Sequence, residues 1–300
     1  MQLETEVVFD MKADQQLSDK ESHVIGVSNV KPPYVLGRSD QETKRLQSQA
    51  RFLEPYTLRL FEEAGITRGM RVLDLGSGAG DVALLAGRLV GPDGFVLGVD
   101  TDPVALETAR ARALAVGHHN VSFMTVDIQQ LALKEKFDAL VGRFILMYLN
   151  EPLDALRALI ECLRPGGIVA FQECDWTQSP YAVPPSPLLD QVWDWISSAF
   201  RLSGADMEMG LKLHRLFDEI GLCSPELHGD RFIGAGADWN GYEHIASMLK
   251  SLLPFLESHR ILRANEVNVD SVADRLREEM VRRRGVLVYY TLVRGWARKP

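Results

Sequence analysis

Three glycines at alternate positions, Gly76, Gly78 and Gly80, interrupt the stretch VLDLGSGAGDVAL, which opens on the apolar run beginning at Val72 and resumes a helical pattern with Val82, Leu85 and Leu89. Strand, tight turn and helix are the elements such a pattern specifies. Glycines at this spacing let the backbone approach a ligand without a Cβ clash, and the helix that follows presents its unpaired N–H groups there. A dinucleotide-binding turn reads G-x-G-x-x-G. This one reads G-x-G-x-G, with Asp81 where the third glycine would stand, which disfavours a nicotinamide or flavin cofactor. Asp74 closes the first apolar run and suits a ligand carrying an ammonium group better than a pyrophosphate, which a carboxylate repels. Asp100 closes the second run, FVLGVD, where an acid accepts hydrogen bonds from the two hydroxyls of a ribose. Asp127 closes the third, VSFMTVD, beside Ile128, in reach of an adenine amino group.

The elements that must position these residues follow from the same alternation. Short apolar runs (RVLDLG, FVLGVD, VSFMTVD, FDALVGRF, GIVAFQE) are separated by helical patterns over about 80–90 and 103–116 and by EPLDALRALIECL. This order predicts a parallel sheet with right-handed crossovers. Asp102 can cap a helix with Pro103 at its first position, and Asn150 or Glu151 precedes Pro152 in the same way. Leu153, Leu156, Ile160 and Leu163 form one buried stripe on that second helix, and Arg164, Pro165, Gly166 and Gly167 turn into the next strand. Downstream, SPYAVPPSPLLDQVWDW reads as a proline-rich turn into a helix, PELHGDRFIGAG as the sixth strand and GVLVYYTLVRGW as the seventh, with a second helical insertion from about Trp239 to Arg284. The two insertions are expected over the carboxyl ends of the strands, where an open α/β sheet places its ligand.

Composition narrows the class. A chain of 300 residues with 46% hydrophobic content can bury one large core, or one core and a smaller subdomain. Its 33 basic and 41 acidic residues leave a net charge of −8 with no dense Lys/Arg stripe, which argues against a nucleic-acid partner. RLREEMVRRR interleaves acids with its bases and reads as a solvated helix face. Cys162, Cys174 and Cys223 lack CxxC spacing and suggest neither a disulfide framework nor a zinc site. No signal-peptide core is apparent, and no apolar run approaches the roughly 18 residues of a membrane span. No membrane partner and a cytoplasmic location are expected.

The ordered set DLGSGAG, GVDTD, VDI and LRPGG resembles class I S-adenosylmethionine-dependent methyltransferases, nearest to the quinone-biosynthesis type and to bacterial small-molecule methyltransferases. The resemblance covers residues 34 to 300. It implies an α/β fold: a Rossmann-like, seven-stranded, mostly parallel sheet with helices on both faces, an N-terminal helical cover and helical insertions. The chain then divides into a flexible tail (1–33), the cover (34–66), a cofactor-binding core (67–175) and substrate-cap insertions carrying the last two strands (176–300). S-adenosylmethionine is the implied cofactor and S-adenosylhomocysteine its product. Gly76, Ser77 and Gly78 then line the methionine moiety, with Asp74 near its amino group. Asp100 takes the ribose, flanked by Thr101 and Asp102, Asp127 and Ile128 hold the adenine, and Arg143 with Phe144 lies near the sulfonium. In YVLGRSDQETKRLQSQARFLEP, which resembles the cover, Tyr34 is the closing aromatic. Arg45 and Gln49 share a helix face that can address the carboxylate end of the ligand or simply face solvent.

In-line displacement at a sulfonium methyl needs an acceptor held about 3 Å away and aligned, with water excluded. A base is needed only where the acceptor must lose a proton, and Glu173, Tyr148, His214 and His244 are the candidates. No acid cluster or His/Asp spacing argues for a metal. Trp176, Tyr181, Trp193, Trp195, Trp239 and Tyr242 gather in the downstream half and favour a flat, apolar or aromatic small-molecule acceptor, including one with a cationic amine, although Trp193 and Trp195 can equally pack a helix on the core. The expected reaction is therefore methyl transfer to O, N or C of a small hydrophobic, aromatic metabolite. A nucleic-acid or protein methyltransferase would carry a basic groove or an Asn-Pro-Pro-Tyr-like motif where this chain has GRFILMY. A nucleotide-dependent oxidoreductase or a non-catalytic binding protein is the third alternative, which Asp81 disfavours. A homodimer through the inserted helices is compatible with the sequence.

Overall fold

The computed structural model describes residues 40–131, 133–263 and 267–300, with side chains from Phe52 onward. The expected tail 1–33 and Tyr34 lie outside the described residues, as do the side chains of Arg45 and Gln49. Among the described residues eight strands form one sheet: β1 (Arg71–Leu75), β2 (Phe95–Asp100), β3 (Val121–Thr125), β4 (Phe137–Arg143), β5 (Leu163–Asp175), β6 (Tyr181–Val183), β7 (Cys223–Ala235) and β8 (Val286–Arg298). Their order is β3-β2-β1-β4-β5-β8-β6, with β7 also paired to β8. The first five strands are mutually parallel, and β8 runs antiparallel to β5, β6 and β7. The sheet is thus mostly parallel, as expected, with eight strands rather than seven. The additional strand is β6, three residues inside the stretch that reads in sequence as a proline-rich turn.

Among the described residues eight α-helices accompany the sheet: α1 (Asp40–Ala64), α2 (Asp81–Val90), α3 (Pro103–Ala115), α4 (Pro152–Leu159), α5 (Pro187–Ser203), α6 (Met209–Glu219), α7 (Gly241–Ser258) and α8 (Val272–Arg283). The central strands are apolar on both faces, as strands covered on two sides must be. The start of α3 is capped as predicted, Asp102 accepting from the Val104 and Ala105 amides at 2.9 and 3.3 Å. Glu151 occupies the equivalent position of α4 without capping it through its side chain. The leucine stripe is also divided: α4 ends at Leu159, a 3-10 turn spans Ile160–Cys162, and Leu163 already opens β5. Arg164 to Gly167 lie within β5, where its register against β4 shifts and Gly166 takes φ +75°.

The second half of α1 buries Leu60, Phe61 and Ala64 against β1 and α2. An ion-pair cluster fastens it to the antiparallel edge. Arg294, 1% exposed, donates from Nε to Asp230 at 2.6 Å and pairs through Nη1 with Glu63 of α1. Helix α7 packs against α1, α5 and α8, so the two insertions form one helical cap. Among the described residues no helix is long and apolar enough to cross a membrane.

Candidate active site

The glycine loop follows β1 with all three glycines at positive φ, +64°, +51° and +85°. A Cβ on Gly76 would lie 2.6 Å from Ile145 Cδ1, and one on Gly80 would lie 2.9 Å from Ala109 Cβ. Nothing lies within 4 Å of the Cβ position of Gly78, whose surroundings are open. The Gly78 N–H donates to Asp100 Oδ2 at 2.8 Å, while Asp100 Oδ1 accepts from the Asp102 amide at 2.9 Å. One carboxylate at the end of β2 therefore fixes the loop tip and the entry to α3. Asp81 is paired with Arg112 Nη2 at 2.7 Å, and Arg112 Nη1 donates to the Ala79 carbonyl at 2.5 Å. The residue that breaks the dinucleotide pattern thus ties α2 to α3.

Asp74 is 1% exposed, and among the described residues no donor makes a well-placed hydrogen bond to either carboxylate oxygen, the Ser77 hydroxyl being a near neighbour. Burial pushes its carboxyl from the ordinary 3.8 up to about 7, against the opposing pull of the nearby Ser77 hydroxyl and the Arg143 guanidinium. Ser77 Oγ is likewise buried, with no well-placed hydrogen bond among the described residues. At the end of β3, Asp127 accepts from the Gln129 amide at 3.0 Å and caps the turn Ile128–Gln130, with Ile128 buried. Thr101 is exposed beside Asp100. Arg143 ends β4, and its Nη1 donates to Thr57 Oγ1 at 3.0 Å.

Glu173, fully buried on β5, accepts through Oε1 from the amides of Ile145 and Leu146 at 3.0 and 2.8 Å. It holds the turn after β4, in which Phe144 has φ +53° and Ile145 packs on Gly76. Desolvation pushes its carboxyl up to about 8 even though those backbone amides pull the other way. Tyr148 lies half-buried in the 3-10 turn Leu146–Tyr148 of the same connection. His244, on α7, is 2% exposed and stacks on Phe52 of α1 at 4.8 Å, with its Nε2 3.5 Å from the Tyr290 hydroxyl. Tyr290 in turn meets Phe232 edge-on at 4.9 Å, Phe144 at 6.5 Å and the Trp176 ring face at 4.5 Å. His214 is exposed on α6. Trp176 and Trp193 stack on each other at 4.6 Å in the core, whereas Tyr181 is 48% exposed on β6.

A family model described as a methyltransferase domain matches residues 66–219, the span from the entry to β1 through α6. The chain is also 33% identical over 187 residues to the ubiquinone/menaquinone biosynthesis C-methyltransferase UbiE of Azotobacter vinelandii, covering 61% of this chain and 70% of that protein. The chain belongs to the class I S-adenosylmethionine-dependent methyltransferases. The UbiE protein of Pseudomonas fluorescens is 30% identical over 200 residues, 64% of this methyltransferase and 74% of the relative. Among solved structures, the YcgJ protein of Bacillus subtilis superposes with a TM-score of 0.52 at 17% identity, covering 82% of this chain and 99% of its own. Phosphoethanolamine N-methyltransferase 2 of Haemonchus contortus, in complex with phosphomonomethylethanolamine and S-adenosylhomocysteine, gives 0.53 at 15% identity, covering 82% and 52%. These two share the fold.

S-adenosylmethionine is the methyltransferase's cofactor, and the loop suits it. Asp74 presents buried acceptors for which the described residues supply no well-placed donor beyond the neighbouring Ser77 hydroxyl, as suits an ammonium group, and the open surroundings of Gly78 leave room along the backbone. Two residues of this region are absent from the sequence-based expectations. Thr57 of α1 and Gln172 of β5 join Arg143 in a chain of hydrogen bonds. Gln172 could have been suspected as the first polar residue in the buried run IVAFQE, but Thr57 carries no comparable signal. Among the described residues no group of three or more His, Cys, Asp or Glu side chains is placed to hold a metal ion.

Proposed function

We propose that this enzyme transfers the methyl group of S-adenosylmethionine to O, N or C of a small, hydrophobic, aromatic acceptor. The observation that carries this reading is the ring cluster of Phe52, Phe144, Phe232, His244 and Tyr290, which joins the cap to the turn after β4. Aromatic walls favour a flat apolar ring, and the polar side-chain atoms of these five residues belong to one imidazole and one phenol. The UbiE relatives act as C-methyltransferases of ubiquinone and menaquinone biosynthesis by name, which supports a quinone-precursor ring as the first acceptor to try.

In this reading Gly76, Ser77 and Gly78 line the methionine moiety and Asp74 takes its ammonium. Asp100, with Thr101 beside it, takes the ribose hydroxyls. Asp127 and Ile128 hold the adenine, and Arg143 lies by the sulfonium. Tyr34, Arg45 and Gln49 belong to the cover. His244 receives a proton from a hydroxylated acceptor, while Glu173 and Tyr148 shape the turn that faces it. The acceptor is a small molecule rather than nucleic acid or a membrane surface, consistent with a net charge of −8.

The test is incubation with methyl-labelled S-adenosylmethionine and, separately, alkylated hydroquinones, catechols, aromatic amines, bulk tRNA and a protein extract. Label on the ring compounds, localised by mass spectrometry, is the expected result. Label on tRNA or protein in place of the rings would overturn the reading.

A further inference from the structure

Arg143 and Gln172 are directly paired across β4 and β5, and Asp74 of β1 pairs with Val141, two residues earlier on β4. With side chains alternating along a strand, these three project from one face of the sheet, at the carboxyl ends of three adjacent strands. Helix α1 lies over that face and contributes Thr57, 1% exposed. Thr57 Oγ1 accepts from Arg143 and, in preference to the Leu53 carbonyl at 3.3 Å, donates to Gln172 Oε1 at 2.7 Å. That length is typical of an O–H···O bond and short for N–H···O, so the amide oxygen, not the nitrogen, faces Thr57. Gln172 Nε2 is therefore directed away from Thr57. It is a completely buried donor with no hydrogen-bond partner among the described residues. Buried donors without acceptors are uncommon and call for an explanation.

The orphaned groups form a complementary set. Among the described residues Asp74 offers acceptors with no well-placed donor beyond the neighbouring Ser77 hydroxyl, and Gln172 offers a donor that lacks an acceptor, with the Arg143 guanidinium on the strand between them. The ligand chemistry that satisfies both is an α-amino acid zwitterion, whose ammonium and carboxylate diverge from one carbon. We propose that Gln172, oriented by Thr57 and lying beside Arg143, binds the carboxylate at the amino-acid end of the cofactor, opposite Asp74, and that α1 is thereby latched to the bound cofactor. This rests on S-adenosylmethionine occupying the glycine loop.

Calorimetry with two ligands tests it. S-adenosylhomocysteine carries the amino acid, whereas 5′-methylthioadenosine has the same adenosine and sulfur without ammonium or carboxylate. Gln172→Leu, and independently Thr57→Val, are expected to weaken S-adenosylhomocysteine tenfold or more and to leave 5′-methylthioadenosine unchanged. Equal losses for both ligands would mean general damage to the site, and unchanged S-adenosylhomocysteine affinity would mean that the carboxylate lies elsewhere; either overturns the clasp. If neither ligand bound the unaltered enzyme, the cofactor placement itself would fall, an outcome distinct from both.

Discussion

The backbone N–H of Gly78 lies 2.8 Å from Asp100 Oδ2, so the tip of the glycine loop is tied to the end of the neighbouring strand before any ligand arrives. The other oxygen holds the Asp102 amide. A carboxylate has about four lone-pair sites, so capacity remains for two ribose hydroxyls. Asp100→Ala removes the internal ties and the ribose acceptors together. Each hydrogen bond to a charged group is worth about 1.5–3 kcal/mol, so S-adenosylhomocysteine affinity should fall by about 100-fold or more. Asp100→Asn, which keeps one acceptor oxygen, should lose less. Calorimetry beside an unchanged circular dichroism spectrum checks both, and undiminished affinity of the alanine variant would remove the ribose from this end of β2.

Asp74 makes affinity and stability move in opposite directions. Its carboxyl stands at about 7 in the fold against an ordinary 3.8. Between those values the folded chain holds a proton that the unfolded chain has released, so this group's contribution to stability declines as pH rises through the window. At about 1.4 kcal/mol per pH unit the effect reaches a few kcal/mol at most. Asp74→Asn should therefore raise the melting temperature of the ligand-free enzyme at pH 8 while weakening S-adenosylhomocysteine. In the unaltered enzyme, cofactor affinity should decline below about pH 7 as the acceptor for the ammonium becomes protonated. Melting curves and calorimetry between pH 5 and 9 separate the two effects.

Glu173 looks from sequence like a base at the end of a strand, yet its Oε1 holds two backbone amides of the turn after β4. With a carboxyl raised to about 8 it is largely neutral at pH 7. A glutamine side chain offers the same oxygen to the same amides, so Glu173→Gln should keep kcat within about threefold and gain stability above pH 8, where the charged form is costly. Glu173→Ala leaves one buried and one partly buried N–H group without an acceptor, at about 1–3 kcal/mol for the buried one. It should lower the melting temperature and, through Phe144 and Ile145, the activity. A kcat loss of orders of magnitude in Glu173→Gln would instead make this carboxyl a proton acceptor in the reaction.

The parts that sequence makes legible are those set by local rules. The period of apolar residues, the Asp102–Pro103 start of α3 and the glycine spacing after β1 each act within a few residues, and each element lies where its pattern predicts. Strand β6 is not legible because three residues among prolines carry no period, and its partner strand β8 begins only at Val286. The stripe through Leu163 misleads because α4 stops at Leu159 while burial continues into a strand. Thr57 and Gln172 are 115 residues apart and meet only because α1 crosses the ends of β4 and β5. For Glu173 the residue type is informative and the role is not, since the same carboxyl can accept a proton or backbone amides.

His244 and Tyr290 face each other across the junction of α7 and β8, with Nε2 and the phenol oxygen 3.5 Å apart and the imidazole stacked on Phe52. Both are almost completely buried. If His244 receives the acceptor's proton, His244→Phe keeps the stack on Phe52 and removes only the proton acceptor. Positioned proton transfer typically contributes 10²–10⁴-fold, so kcat should fall by about 100-fold or more with S-adenosylhomocysteine affinity unchanged. Tyr290→Phe should cost less, because its ring contacts persist, and should displace the pH profile of kcat. A purely structural role makes a different prediction: both variants would lose activity in proportion to stability, whatever the acceptor. The deciding comparison is a nitro-substituted phenol, already ionised at neutral pH, which should recover most of the activity of His244→Phe. No recovery with that acceptor would assign His244 to packing alone.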